Sequence, residues 1–255
     1  MLYQLKQAVP EPLKQVWHYS LARAASILYR HPSNQMIVFG VTGTNGKSST
    51  INFMAQLLEE MGERVGYTTT AGFRIAGEDI ENKMKMTMPG RFYLQQLLRQ
   101  MVRSGCKYAI VETSSQGIAQ YRHLGVNYDI AVFTNLTPEH IEAHGGFENY
   151  KKAKGRLFSH TANGKHKVIN RQTIPKTSVV NGDDKYAKYF SGFHTDEVVK
   201  WSLSGKGDVN AKIKKWTAEG AVVEVEDTAS DSRGATRWKI LEAIQEVPQG
   251  GRYRK

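Results

Sequence analysis

From residue 36 to about residue 160, short apolar runs alternate with stretches in which hydrophobic residues recur every three or four positions. The runs predict strands at residues 37–41, 65–69, 108–112 and 130–133. The recurring stretches are typical of helices, the first with Ile51, Met54, Leu57, Leu58 and Met61 and the second with Leu94, Leu97, Leu98 and Met101. A third helix is predicted at residues 147–158. Strands separated by helices indicate an α/β fold, in which helices cover both faces of a mostly parallel sheet.

The two ends of the chain depart from this alternation. Residues 16–30 predict a helix with an extensive apolar surface, which either packs on its own domain or makes weak contact with a membrane surface. Near the other end, a predicted strand leads into the polar turn 181–184. Residues 216–226 alternate with a period of two, which predicts a hairpin, and an amphipathic piece follows at 238–244. We therefore divide the chain into an N-terminal helical extension, a central domain and an incomplete or irregular end, with bounds 1–35, 36–200 and 201–255.

Composition narrows the classes of protein. The chain has 255 residues, enough to bury a full-sized core, and its net charge of +11 indicates an anionic partner. Nucleotides satisfy that charge as well as nucleic acid does, and no nucleic-acid recognition motif is present, so we expect no nucleic-acid partner. The single cysteine, Cys106, excludes an internal disulfide and suits the cytoplasm. No apolar run approaches the ~20 residues that span a bilayer, and no signal peptide opens the chain.

The candidate chemistry begins between the first predicted strand and helix. Residues 38–49 read VFGVTGTNGKSS, a glycine-bearing turn that ends in Lys47 and Ser48. In a phosphate-binding loop the glycines let backbone N–H groups approach a polyphosphate, the lysine reaches the outer phosphates, and the serine holds Mg²⁺. The generic pattern places glycine where this chain has Val41, so a turn without a nucleotide is the alternative.

Polar groups also follow the later strands. Glu112 ends one strand, the segment 134–140 follows the next, and Lys154 lies in the helix after it. Because parallel strands end at one edge of a sheet, we expect these groups to form one site. A carboxylate such as Glu112 suits Mg²⁺, and His140 suits a second cation.

Five motifs in order resemble the ATP-dependent Mur ligases, most closely those that add the third residue to UDP-N-acetylmuramoyl-dipeptide in peptidoglycan synthesis. The resemblance covers residues 36–190. The motifs are the loop 43–49, the segment 112–115 followed by Gln120 and Arg122, the segment 133–140, the segment 150–154 and the turn 181–184.

The resemblance implies a role for each matching residue. ATP would be bound by Gly43, Thr44, Asn45, Gly46, Lys47, Ser48, Ser49, Asn135 and Asn181. Two Mg²⁺ ions would be held by Ser48, Glu112, His140 and Lys154, with Lys154 carbamylated so that it presents a carboxylate-like oxygen. The UDP-MurNAc-dipeptide would be contacted by Thr87, Ser114, Gln120 and Arg122. Catalysis would depend on Lys47, His140 and Lys154.

The implied reaction is acid activation. The substrate carboxylate attacks the γ-phosphate of ATP to give an acyl phosphate and ADP, and an amine, from diaminopimelate or lysine, then displaces phosphate to form an amide. The family's N-terminal and C-terminal domains have no room in this chain, and Met86 stands where the family has a polar residue. We therefore expect a short or truncated central domain that binds ATP; amide formation at the rates of full-length enzymes would contradict that expectation.

Other interpretations stay open from the sequence. A folylpolyglutamate or cyanophycin type of ligase shares the loop and the metal positions, although Ser114, Gln120 and Arg122 favour the muramoyl substrate. A related amidotransferase subunit would carry a four-cysteine zinc insert, which a single cysteine excludes. A non-catalytic ATP-binding module is the alternative from a different class, and ATP binding without turnover would favour it.

Overall fold

A ten-stranded sheet organises the fold. The computed structural model describes residues 11–139, 141–216 and 221–227. Its strands are β1 (Ile37–Thr42), β2 (Val65–Thr68), β3 (Gly72–Ile75), β4 (Glu78–Glu81), β5 (Tyr108–Glu112), β6 (Ile130–Phe133), β7 (Lys167–Ile169), β8 (Gln172–Ile174), β9 (Thr177–Asn181), β10 (Glu197–Ser202), β11 (Val209–Trp216) and β12 (Ala221–Asp227). β7 and β8 form a separate antiparallel pair.

The strand order in the large sheet is β12-β11-β10-β9-β6-β1-β5-β2-β3-β4. All neighbouring strands from β11 to β2 in this order are parallel. At one edge β12 pairs antiparallel with β11, and at the other β3 pairs antiparallel with both β2 and β4. The helices are α1 (Glu11–Leu28), α2 (Lys47–Glu60), α3 (Arg91–Arg103), α4 (Ser115–Ala119), α5 (Phe147–Ala162) and α6 (Ala187–Phe190), with short 3-10 segments at Pro32–Gln35, Arg122–Gly125 and Ile141–His144.

The core lies on both faces of the sheet because side chains alternate along each strand. On β1, Ile37 and Val41 pack with Ile51 of α2, while Val38 packs in the cluster that contains Leu98 of α3 and residues of α5. The predicted α/β fold with helices on both faces is therefore confirmed. In the part of the chain that the structure describes, no helix is long and apolar enough to cross a bilayer.

Helix α1 confirms the helix predicted from residue 16 onward. It packs on α3 and on the segment Arg122–Gly125 with Ala22 and Ala25 buried, and it leaves Trp17 and Leu28 exposed. Contact of this outer face with a membrane stays a prediction.

The C-terminal part of the sheet corrects one prediction and adds a strand. The hairpin predicted at residues 216–226 is formed by β11 and β12, so its first strand lies before the predicted segment. β11 and β12 lie at the edge of the sheet, where few residues are buried. Lysines are therefore tolerated along β11, and they obscure the alternation of apolar and polar residues that predicts a strand. β10 was not predicted. The amphipathic piece at 238–244 lies outside the described residues.

A buried ionic cluster lies at the amino ends of the central parallel strands and holds them together. Asp129, at the start of β6, is fully buried and accepts hydrogen bonds from Val38 N at 2.9 Å, Lys167 Nζ at 2.5 Å and Lys176 Nζ at 3.0 Å. Burial lowers the pKa of Lys167 to about 8. The charge of Asp129 opposes this shift, and the charge of Lys176 adds a smaller contribution in the same direction as burial. One carboxylate therefore compensates two buried ammonium groups, and it fixes the starts of β1, β6 and β9 relative to one another.

Candidate active site at the carboxyl edge of the sheet

The glycine-bearing loop connects β1 to α2 at the edge where the parallel strands end. Gly46 precedes α2 with a φ of 80°, a left-handed conformation that favours glycine. A Cβ on Gly43 would lie 1.9 Å from Thr134 Oγ1, so only glycine lets the loop pass this close to the end of β6. The loop leads into α2, whose first N–H groups have no partner within the helix, and both the loop and Lys47 line the cavity described below.

Lys47 lies folded over this loop. Its Nζ donates to Thr44 O at 2.7 Å and to Gly43 O at 3.1 Å. Burial lowers the pKa of Lys47, while the charges of Glu112 and Glu139 oppose the shift. The ammonium group therefore lies beside the loop with two carboxylates in its surroundings.

Glu112, at the end of β5, holds α2 and the segment after β2 together. Its carboxylate is 2% exposed and accepts hydrogen bonds from Ser48 Oγ at 2.8 Å and from Thr70 N at 2.9 Å. Thr70 Oγ1 in turn donates to Thr87 Oγ1 at 2.9 Å. The predicted metal ligands Ser48 and Glu112 thus touch each other, and a hydroxyl connects them to the predicted substrate residue Thr87.

Lys154 reaches the same loop from α5. It is 2% exposed, and its Nζ donates to Gly43 O at 2.6 Å and lies 4.4 Å from the centroid of the Tyr150 ring. Burial lowers the pKa of Lys154 to about 7, and the nearby charge of Lys47 acts in the same direction while Glu139 opposes it. The structure therefore places the two predicted catalytic lysines on one carbonyl oxygen.

Asn135 and Asn181 support the loop. Asn135 Oδ1 accepts from Asn45 N at 2.9 Å, and Asn135 Nδ2 donates to Asn45 O at 3.1 Å. Asn181 Nδ2 donates to Thr134 O at 2.8 Å, one residue before Asn135. Direct contact of Asn135 and Asn181 with a nucleotide stays a prediction. His140, the predicted ligand of the second cation, lies outside the described residues.

Two adjoining cavities occupy this edge of the sheet. The first, of about 350 Å³, is lined by the loop, Lys47 and Lys154. The second, of about 320 Å³, is lined by all four predicted substrate residues, namely Thr87, Ser114, Gln120 and Arg122. Thr87 and Ser114 line both cavities, so the two spaces share a wall. Arg122 Nη2 also donates to Gln120 Oε1 at 2.5 Å, which orients these two side chains together.

Some residues of the site were not singled out from the sequence. Thr70 N donates to Glu112. The sequence signal for Thr70 was its position two residues after β2, because polar residues at strand ends gather at this edge of the sheet. Tyr150 contacts Thr44 Oγ1 through its hydroxyl at 3.1 Å, and it begins the motif that ends in Lys154. A larger cavity of about 560 Å³ lies between α1 and α5, and it contains none of the predicted site residues.

Comparison with known proteins agrees with this geometry. The model of the Mur ligase middle domain matches residues 41–241. The chain therefore belongs to the Mur ligase family, as its motifs predicted, and the matched region includes the loop and both cavities.

Individual relatives point to the same family. A UDP-N-acetylmuramoyl-L-alanyl-D-glutamate–2,6-diaminopimelate ligase from Geobacillus thermodenitrificans is 33% identical over 206 residues, which are 81% of this chain and 41% of that protein. A UDP-N-acetylmuramyl-tripeptide synthetase from Treponema denticola is 39% identical over 173 residues, 67% of this chain and 32% of that protein. A solved structure of a UDP-N-acetylmuramoyl-L-alanyl-D-glutamate–2,6-diaminopimelate ligase superposes with a TM-score of 0.65 at 26% identity, covering 80% of this chain and 40% of that one. The chain thus spans between 32% and 41% of the length of these relatives.

Proposed function

We propose that this chain uses ATP to activate a carboxylate of UDP-MurNAc-L-Ala-D-Glu, so that the amine of diaminopimelate or lysine can form an amide with it. One observation carries the proposal: the loop, Lys47 and Lys154 line a cavity that shares Thr87 and Ser114 with the cavity of the predicted substrate residues. ATP phosphates at the loop and a substrate in the second cavity, with its carboxylate extending past Thr87 and Ser114 into the first cavity, would meet at this shared wall. The similarity to a UDP-N-acetylmuramoyl-L-alanyl-D-glutamate–2,6-diaminopimelate ligase supports this class of substrate. A cytoplasmic location belongs to the same proposal.

The chain's own groups can stabilise the transfer of the γ-phosphoryl group. The N–H groups at the start of α2 and the Lys47 ammonium provide positive charge where negative charge spreads over the phosphoryl oxygens. To interact with the outer phosphate, Lys47 exchanges its hydrogen bonds with Thr44 O and Gly43 O for bonds with phosphate oxygens. Arg122 can bind an anionic group of the substrate through its planar fork and hold the carboxylate in position.

The residues around Glu112 fit a magnesium ion. Its carboxylate is buried, and its hydrogen bonds come from the neutral donors Ser48 Oγ and Thr70 N. Mg²⁺ commonly binds through one or two protein oxygens together with substrate phosphates, and Ser48 and Glu112 supply such a pair. When bound, the ion would neutralise charge on the phosphates.

The surroundings of Lys154 fit a carbamate. Only an unprotonated amine reacts with CO₂, in a step that forms an N–C bond and releases one proton, and the lowered pKa of Lys154 makes that form available near neutral pH. The positive charge of Lys47 disfavours a second ammonium group here and would instead attract the carbamate oxygens. Modification would also remove the charged donor that now binds Gly43 O.

The test is ADP release from ATP by the purified chain, with and without UDP-MurNAc-L-Ala-D-Glu and with and without bicarbonate. We expect ADP release to require the muramoyl substrate and to increase with bicarbonate, because a carbamate replaces the Lys154 ammonium. Lys154→Ala is expected to reduce the rate at least about tenfold and to abolish the bicarbonate response. Amide formation is measured in the same reactions with diaminopimelate or lysine, and mass spectrometry detects the labile carbamate.

Lys152→Ala is the matched control, because Lys152 lies on the same helix and is exposed. It should keep both the rate and the bicarbonate response. ADP release that does not depend on the muramoyl substrate, or that survives in Lys154→Ala, would contradict the proposal. ATP binding without any turnover would favour a non-catalytic module.

A further inference from the structure

Ser115 and His144 form a pair at the wall of the first cavity. Ser115 is the first residue of α4 and lines this cavity together with Tyr150 and Lys154. His144, at the end of the 3-10 segment Ile141–His144, has its Nε2 3.1 Å from Ser115 Oγ. The two residues are 29 positions apart in the chain, so the contact is a product of the fold.

Packing fixes both partners. The His144 ring lies 5.3 Å from the Tyr150 ring, and the Tyr150 hydroxyl contacts Thr44 Oγ1 at 3.1 Å. At the start of α4, Ser114 Oγ accepts from Gly117 N at 3.1 Å, and a Cβ on Gly117 would lie 2.6 Å from Met88 Sδ. The His144 ring and the start of α4 are therefore both packed against neighbouring residues, on either side of the Ser115 hydroxyl.

The cavity is suited to an anion. Lys47 brings positive charge to it, and Thr87 and Ser114 add hydroxyl groups. A serine hydroxyl has one hydrogen, so while its hydrogen bond with His144 is kept it can donate to an anion in the cavity only if His144 is the donor in that bond. Hydrogen bonds from such a donor to a carboxylate are stronger than those between neutral groups.

We propose that Ser115 Oγ–H donates to the substrate carboxylate and that His144 is a positioning residue, whose Nε2–H donates to Ser115 Oγ and leaves the hydroxyl hydrogen directed into the cavity. This inference rests on the proposed function, since it names a contact within the same site. It adds two residues that the family motifs of this chain did not assign.

Calorimetric binding of UDP-MurNAc-L-Ala-D-Glu in the presence of ADP tests the pair. Ser115→Ala should weaken binding about 10- to 100-fold, because a hydrogen bond to a charged group is lost. His144→Leu should weaken it about tenfold, and His144→Gln should stay within about threefold of the wild type, because its amide can donate from a similar position. The double variant should bind no more weakly than Ser115→Ala. The affinity for ADP alone should not change in any of these variants.

Ser104→Ala and His194→Leu are the controls, since both residues are exposed and lie outside the two cavities. Substrate binding by Ser115→Ala equal to that of the wild type would overturn the whole inference. Equal binding by His144→Leu, or equally weak binding by His144→Gln and His144→Leu, would overturn the positioning role. A wild-type chain that binds ADP but not the muramoyl substrate would overturn the proposed function, and this inference with it.

Discussion

Replacing Lys47 by methionine is expected to lower substrate-dependent ADP release by about 10²- to 10³-fold. Methionine keeps much of the length and volume of the side chain but removes the ammonium group, which lies 2.7 Å from Thr44 O over the phosphate loop. Of the cationic side chains that line the first cavity, only Lys47 keeps its positive charge once Lys154 is carbamylated. Lys47 is therefore the one placed to stabilise negative charge on the outer phosphate. The rate is measured with saturating muramoyl substrate and bicarbonate.

Lys188→Met provides the control for this result, because Lys188 is exposed on α6 and lines neither cavity. Its rate should match that of the wild type. A Lys47→Met chain that keeps at least a third of the wild-type rate would show that Lys47 is not needed for phosphoryl transfer. We expect both variants to unfold at the same temperature, because Lys47 is only partly buried. Equal unfolding temperatures would establish that the lower rate of Lys47→Met is not caused by loss of the fold.

Replacing Asp129 by leucine should cost about 3–5 kcal/mol in the free energy of unfolding. The substitution leaves the ammonium groups of Lys167 and Lys176 buried without their carboxylate and removes the acceptor of the Val38 N–H. Urea unfolding followed by circular dichroism measures the change, which is a large share of the stability of an ordinary domain.

The matched control is Asp79→Asn, because Asp79 is exposed and makes a 3.5 Å ion pair with Arg74 at the surface. It should change stability by less than about 1 kcal/mol. Replacing Asp129 by leucine and Lys167 and Lys176 by methionine together should recover part of the loss, since an apolar cluster has no buried charge to compensate. If Asp129→Leu were as stable as the wild type, the cluster would not hold the strand ends together.

The sequence was informative wherever a local pattern decides the structure. Lys47, Ser48 and Glu112 were predicted to share a site because each follows a strand of a parallel sheet, and the structure brings them together. The helices α2, α3 and α5 carry long hydrophobic stripes, so their periodicity was visible. The family motifs then supplied the four predicted substrate residues, which line one cavity.

What the sequence did not reveal depends on short elements and distant contacts. Helix α4 has five residues, too few for a period to show, and β10 exposes several of its positions, so its apolar pattern is weak. The contact of His144 with Ser115 and that of Asp129 with Lys167 join residues 29 and 38 positions apart. Such contacts are set by how elements pack, and local propensity carries no information about them.

The transfer of a labelled oxygen tests the central claim most directly. The chain is incubated with ATP, bicarbonate and UDP-MurNAc-L-Ala-D-Glu whose glutamate carboxylates carry ¹⁸O, and the released phosphate is analysed by mass spectrometry. If the carboxylate attacks the γ-phosphate, each phosphate released from the acyl phosphate by an amine or by water at carbon carries one ¹⁸O atom. Phosphate that forms at the same rate without ¹⁸O, with no acyl group captured when diaminopimelate or lysine is added, would show that water attacks ATP directly, and it would contradict carboxylate activation at this site.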